Sequence, residues 1–149
     1  MRTRRLDALQ VFATASFGEI RLWHIHTCRE LLRVKVPNVA CHCLAFSADG
    51  SAVISGWSDG KIRAFGPQSG KLLYTIEAHH KGVRSIAATK DPQRLLSGGE
   101  EGIVRVWQVW RRTLCCCLML SVQDQSTCKD VGQTVLLWMC LGHMCATYM

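Results

Sequence analysis

Cys41, His42 and Cys43 stand in a row, and two thiols with an imidazole are the raw material of a metal site. Zinc needs four ligands, however, and no second pair at ligand spacing follows. Two small thiols on one strand face read instead as core cysteines. His24 and His26 share a strand face and could ligate a metal, but read as a polar pair beside a turn. The run Cys115 to Cys117 cannot give one ion three ligands without a dedicated loop, and His143 stands alone downstream of it.

Other residues have types that could do covalent chemistry. Ser97 and His79 are a hydroxyl and an imidazole, yet no oxyanion site can be argued beside them. Glu100 and Glu101 are adjacent and point apart, unlike carboxylates arranged for acid–base work. The stretch SGGEEG has no lysine and leads into a strand, so it cannot build the anion site of a helix N-terminus. These residues argue against an enzyme and imply no cofactor, no metal and no small-molecule substrate.

The elements that carry them repeat. FGEIRLW, SDGKIRAF and EEGIVRVW place Arg21, Arg63 and Arg105 at 63 − 21 = 42 and 105 − 63 = 42 residues. Trp23, Phe65 and Trp107 keep the same stride. Each unit reads as short strands broken by turns at SADG, SDG and GPQSG, or at TKDP and EEG, where Gly, Asp and Pro supply the needed dihedrals.

The chain has 149 residues, 48% apolar and 19% charged, which is globular composition for one domain. Its net charge of +7 could suit a polyanion, but the positive residues are scattered from Arg2 to Lys129. They form no basic run with interleaved aromatics, so no nucleic acid is expected as a partner. The longest apolar runs, LCCCLML and VLLWMCL, are far short of the ~20 residues that span a bilayer, so no membrane is expected either. MRTRRLDALQ has no apolar run after its basic start, and nine cysteines without secretion are expected to be reduced. The protein reads as intracellular.

Four short strands in roughly 40 to 45 residues is the period of a propeller blade, and the chain resembles the WD40 family over about residues 10–109. That resemblance implies an all-β, partial β-propeller in which a tetrad of His, Ser or Thr, Asp and Trp staples each blade. The third unit matches with His79, Ser97 and Trp107, while Glu101 stands at the Asp position. The middle unit keeps Ser55 and Asp59 but has Pro37 for the His and Phe65 for the Trp. Phe has no N–H to satisfy, so the middle blade is expected to exchange a polar staple for an apolar one. Burial of that ring is worth roughly 4–6 kcal/mol gross. The first unit has Trp23 but has lost the Asp.

Counting strands gives about two and a half four-stranded blades, with the first unit entering at its second strand and the third stopping after VRVWQV. Residues 1–9 form a basic segment. Residues 110–149 hold six of the nine cysteines and four of the five methionines, fit no repeat, and are expected to be an irregular, poorly ordered tail. A strand from Leu114 to Leu120 could still extend the third blade.

Within the family, VPN and KIRAF in place of the usual residues resemble the axonemal branch. That resemblance implies a microtubule inner protein of cilia and flagella, cytoplasmic in origin, with tubulin and other axonemal inner proteins as partners. Turn lysines on one propeller face, Lys61, Lys81 and Lys90, are the expected contacts. The alternatives are a soluble WD40 adaptor and a non-functional truncated variant.

Overall fold

The computed structural model describes residues 11–91, 94–110 and 113–121. The basic segment 1–9, the tail beyond Ser121, His143 and the side chains of Cys115 to Cys117 lie outside the described residues. Every regular element described is a strand. They are β1 (Val11–His24), β2 (Glu30–Phe46), β3 (Val53–Trp57), β4 (Lys61–Phe65), β5 (Leu72–Glu77), β6 (Val83–Ala88), β7 (Arg94–Gly99), β8 (Ile103–Trp110) and β9 (Thr113–Ser121). All pairings between them are antiparallel, in the sheet orders β1-β2-β3-β4-β5 and β6-β7-β8-β9.

Two strands are longer than one blade needs, for different reasons. β1 doubles back on itself. Trp23 Nε1 donates to Thr14 Oγ1 at 2.9 Å, whereas nine residues of unbroken strand would hold them about 30 Å apart. The reversal falls at Gly18, midway between them, whose φ of 74° is open to glycine at no steric cost. β2 serves two blades in succession. Residues 30–35 pair with β1, Ala40 pairs with Phe17 at its turn, and Cys41 to Phe46 pair with β3. Between these pairings lie Pro37, which has no N–H to offer a ladder, and Asn38, at φ 65° in the left-handed region that Asn tolerates.

The second sheet, which is the third blade, has four strands. β9 pairs with β8 from Ile103↔Ser121 to Trp110↔Thr113, so the outer strand of the third blade lies inside the stretch expected to be an irregular tail. Its span agrees with the strand expected from Leu114 to Leu120.

Two apolar clusters hold the blades face to face. Val11, Ala13, Ile20, Leu22 and Val34 of the first blade meet Leu44, Phe46, Val53, Trp57 and Phe65 of the second. The opposite face of the second blade, with Cys43, Ala45, Ile54, Ile62, Ala64 and Ile76, meets Val83, Ile86, Leu95 and Trp107 of the third. Each fully buried aliphatic side chain adds about 1.5–3 kcal/mol gross. The strands alternate in and out with period 2, and both faces of the middle blade are apolar because each is covered.

Cys41 and Cys43 correct one expectation. Their ladder slips by a bulge between the two residues, and the extra residue shifts the alternation, so that side chains two apart fall on opposite faces. Both thiols are buried, but Cys41 packs in the first cluster and Cys43 in the second. They do not share a strand face.

Candidate functional site

The third blade carries the expected tetrad. His79 precedes β6, Ser97 is on β7, Glu101 is in the β7–β8 turn and Trp107 is on β8. Trp107 Nε1 donates to Ser97 Oγ at 2.8 Å. Ser97 Oγ is 2.8 Å from His79 Nε2, and His79 Nδ1 is 2.8 Å from Glu101 Oε1. A carboxylate only accepts, so Nδ1 carries the imidazole proton and Nε2 takes the serine O–H. The chain of donors therefore runs from the indole to the hydroxyl to the imidazole, and then from Nδ1 to the carboxylate.

Electrostatics fix those roles. Burial pushes the His79 pKa down, against the opposing pull of Glu101, so the ring is held neutral. Burial works against the charge on Glu101. Even so, the His79 hydrogen bond, the Lys81 N–H at 3.2 Å and the Arg105 charge hold its carboxyl below the usual range. Arg105 is itself buried, 3.6 Å from Glu101, and its guanidinium donates to the Ala78 carbonyl. The repeated arginine thus ties β8 to the segment that delivers His79.

The middle blade overturns the expectation of an apolar staple. Trp57, 0% exposed, donates Nε1–H to Ser55 Oγ at 2.8 Å, and Ser55 donates onward to the Arg63 carbonyl at 2.8 Å. Residues 57 and 99 are 99 − 57 = 42 apart, so Trp57 occupies the position of Gly99. A methyl built on Gly99 runs into the His79 ring, so a side chain at that position points into the histidine's space. Pro37 vacates that space in the middle blade, since 79 − 37 = 42. The three differences, Pro37 for His79, Trp57 for Gly99 and Phe65 for Trp107, are one exchange. The indole has moved from the third strand to the second, and the serine keeps a donor.

Asp59 does not join Ser55. It accepts from both terminal nitrogens of Arg63, at 3.1 and 2.6 Å, and from the Lys61 N–H at 3.2 Å. Burial raises the Asp59 pKa, but these bonds outweigh it and the carboxyl lies below the usual range. The Arg63 guanidinium lies 5.5 Å from the Trp57 ring centroid, a cation–π contact over the buried indole. Sequence comparison showed the vacancy at Pro37 but not what fills it. The signal was SGW at 55–57 against SGG at 97–99.

In the first blade Trp23 is paired with Thr14, which sequence reasoning missed because Gly18 ends a turn one residue shorter. Phe12 stacks on Trp23 with centroids 6.2 Å apart. The lost Asp is replaced by Glu19, which binds Arg21 beside a second pair, Arg33 and Glu30, at 2.8 Å. Hydrogen bonding from Arg33 lowers the Glu30 pKa.

The remaining candidates have ordinary partners. His24 Nδ1 lies 3.0 Å from Thr27 Oγ1 in the turn after β1, and its ring is 6.0 Å from that of His26. Glu100 pairs with Arg84 at 2.7 Å, away from Glu101. No group of three metal-ligating residues exists among the described residues.

The three lysines do not share an end of the blades. Lys61 follows the β3–β4 turn and Lys81 lies in the β5–β6 connection. These two turns adjoin, for the His79 N–H donates to the Gly60 carbonyl at 2.9 Å. Lys90 lies in the β6–β7 turn, beyond the far end of β6 from Lys81. Six residues of strand, about 20 Å, separate the two edges. Lys81 and Lys90 are exposed, while Lys61 is engaged by Glu77 at 2.8 Å.

Blades that repeat every 42 residues, two of them four-stranded and the first joined to the second through β2, each stapled by an indole–hydroxyl pair, define a WD40-repeat protein. The family model described as WD domain, G-beta repeat matches residues 31–65 and 70–108, and the chain belongs to that family. Among curated proteins it is similar to cilia- and flagella-associated protein 52. Identity to the Chlamydomonas reinhardtii protein is 66% over 103 residues, covering 68% of this chain and 17% of that protein. Identity to the Mus musculus protein is 54% over 105 residues, covering 70% of this chain and 17% of that protein. WD repeat-containing protein 90 of Xenopus tropicalis is 33% identical over 93 residues, 57% of this chain and 5% of that protein. The chain thus spans about a sixth of the length of the first two relatives.

Proposed function

We propose that the chain is a non-catalytic structural WD40 protein of the ciliary and flagellar axoneme, a microtubule inner protein that binds tubulin alongside other inner proteins. The observation that carries this reading is the 66% identity over 103 residues to a cilia- and flagella-associated protein. The polar groups of the blades support a structural role, because the tetrad satisfies its own members and leaves none aimed at a substrate. The net charge of +7 suits an acidic lattice. In this reading the contact edge is the one bearing Lys61 and Lys81.

Co-sedimentation of the full chain with microtubules tests it. Lys81→Glu, which breaks no side-chain pair described here, should weaken binding, and Lys90→Glu on the opposite edge should not. Unchanged binding on reversal of Lys61 and Lys81 together would refute the assigned edge, and no co-sedimentation of the unaltered chain would refute tubulin binding. Mass spectrometry of salt-washed axonemes supplies the second arm, reading peptides between Thr113 and Met149 because the repeats resemble the longer relatives. Finding them only in the soluble wash would favour the adaptor reading instead.

A further inference from the structure

The edge that bears Lys81 also carries the most exposed large apolar side chain among the described residues. Phe17 is 74% exposed, whereas Leu31 and Leu72, at 49% and 54%, lie at the opposite edge beside the β1–β2 and β4–β5 turns. Phe17 stands before Gly18 as Asp59 stands before Gly60, since 59 − 17 = 42 and 60 − 18 = 42. The two glycines share the same turn conformation, with φ of 74° and 78°. Asp59 is exposed although its blade is covered on both faces, so this turn position looks out along the edge and not toward a neighbouring blade. Asp59 and its third-blade equivalent Glu101 bind Arg63 and His79 within the chain. Phe17 packs in neither apolar cluster.

Main-chain bonds join Phe17 to the Lys81 connection along that edge. Phe17 pairs with Ala40, whose carbonyl accepts from the Ser58 N–H at 2.8 Å and whose N–H donates to Ser58 Oγ at 3.0 Å. The Ala78 and His79 N–H groups both donate to the Gly60 carbonyl, at 3.0 and 2.9 Å. Ring and ammonium are therefore carried on one frame. Neighbouring packed sheets are about 10 Å apart, so both fall within an interface of ordinary size, about 800 Å² per partner. Other cations at this edge are neutralised within the chain, Lys61 by Glu77 at 2.8 Å, Arg63 by Asp59 at 2.6 Å and Arg84 by Glu100 at 2.7 Å. A single exposed cation such as Lys81 steers an encounter but changes Kd by a factor of only about 1–5. Protein contacts are centred instead on a few large side chains, aromatics above all, seated in pockets. We infer that Phe17 is the apolar anchor of the contact this edge makes, and that the partner presents an apolar pocket for its ring beside a carboxylate for Lys81. This rests on the reading of the edge as the tubulin contact.

Co-sedimentation of the full chain with microtubules, read as Kd over a series of salt concentrations, tests it. Phe17→Ser should raise Kd about 10-fold or more at every salt concentration, because apolar burial is not screened. Phe17→Leu keeps an apolar side chain and should lose only part of that. Lys81→Glu should weaken binding mainly at low salt. Leu72→Ser, at the opposite edge, should leave Kd unchanged. Thermal melts of Phe17→Ser should match those of the unaltered chain, because the side chain is exposed, so that lost binding is not lost fold. Unchanged Kd for Phe17→Ser, or equal weakening by Leu72→Ser, would overturn the anchor and leave the tubulin reading standing. No co-sedimentation of the unaltered chain would overturn both.

Discussion

Replacing Trp57 by Phe isolates the hydrogen bond on which the middle blade turns. Phe keeps most of the apolar packing but cannot donate to Ser55, which the indole reaches at 2.8 Å. A neutral buried hydrogen bond contributes about 0.5–1.5 kcal/mol. The smaller ring leaves an incompletely filled space at a 0% exposed position, which costs about 1 kcal/mol more. The expected loss is about 2 kcal/mol, a substantial part of the ~5–15 kcal/mol that stabilises a domain. Urea unfolding followed by far-UV circular dichroism should then show a midpoint lower by about 1 M. Fluorescence is unsuitable because the variant removes a tryptophan.

Ser55→Ala removes the same bond from the other side and also leaves the Arg63 carbonyl without its hydroxyl donor. The double variant loses the Trp57–Ser55 bond once, so the cycle should show a coupling of about 0.5–1.5 kcal/mol. Trp107→Phe with Ser97→Ala should couple with the same sign in the third blade, where the indole reaches the serine from β8. Additive losses within ~0.3 kcal/mol in the middle blade would refute the reasoning. They would mean that Phe65 anchors that blade by apolar contact alone.

Gly99→Ala should destabilise by about 1–3 kcal/mol, since its methyl meets the His79 ring, and thermal melts should show the cost reduced in a His79→Ala background. Pro37→His should cost a similar ~1–3 kcal/mol while Trp57 fills the imidazole's place, with partial relief when Trp57→Gly is added. His79 has a folded-state pKa below its ordinary 6.5, so the unfolded chain binds the proton more tightly. Its contribution is fully present above pH 6.5 and is lost as pH falls from there through the lowered value; His79→Gln should flatten that part of the stability profile, and an unchanged slope would count against a neutral buried ring. Native-state alkylation with peptide mapping should label exposed Cys28 quickly, and label Cys41 and Cys43 only after unfolding.

The repeat was legible because it rests on local rules. A 42-residue stride, turns rich in Gly and Asp, and alternating apolar residues specify strands and their order without knowledge of contacts. His79, Ser97, Glu101 and Trp107 could be matched by position, since the third blade keeps each residue type of the tetrad or its homologue. Position alone failed where one residue took over another's space. Pro37 and Phe65 announced a loss, and only packing shows that the Trp57 indole fills the vacated volume and keeps the serine supplied.

The same limit explains the other departures. Alternation put Cys41 and Cys43 on one face, but the ladder slips between them, and register is set by the partner strand. Lys61, Lys81 and Lys90 all sit in turns, yet an antiparallel strand has turns at both ends, and pairing decides which lysines are neighbours. Strands, turns and the period depend on residues close along the chain, and so could be read from it directly. Which side chain occupies each buried space, and which face each blade covers, depends on residues a whole repeat apart, and only the packed blades show it.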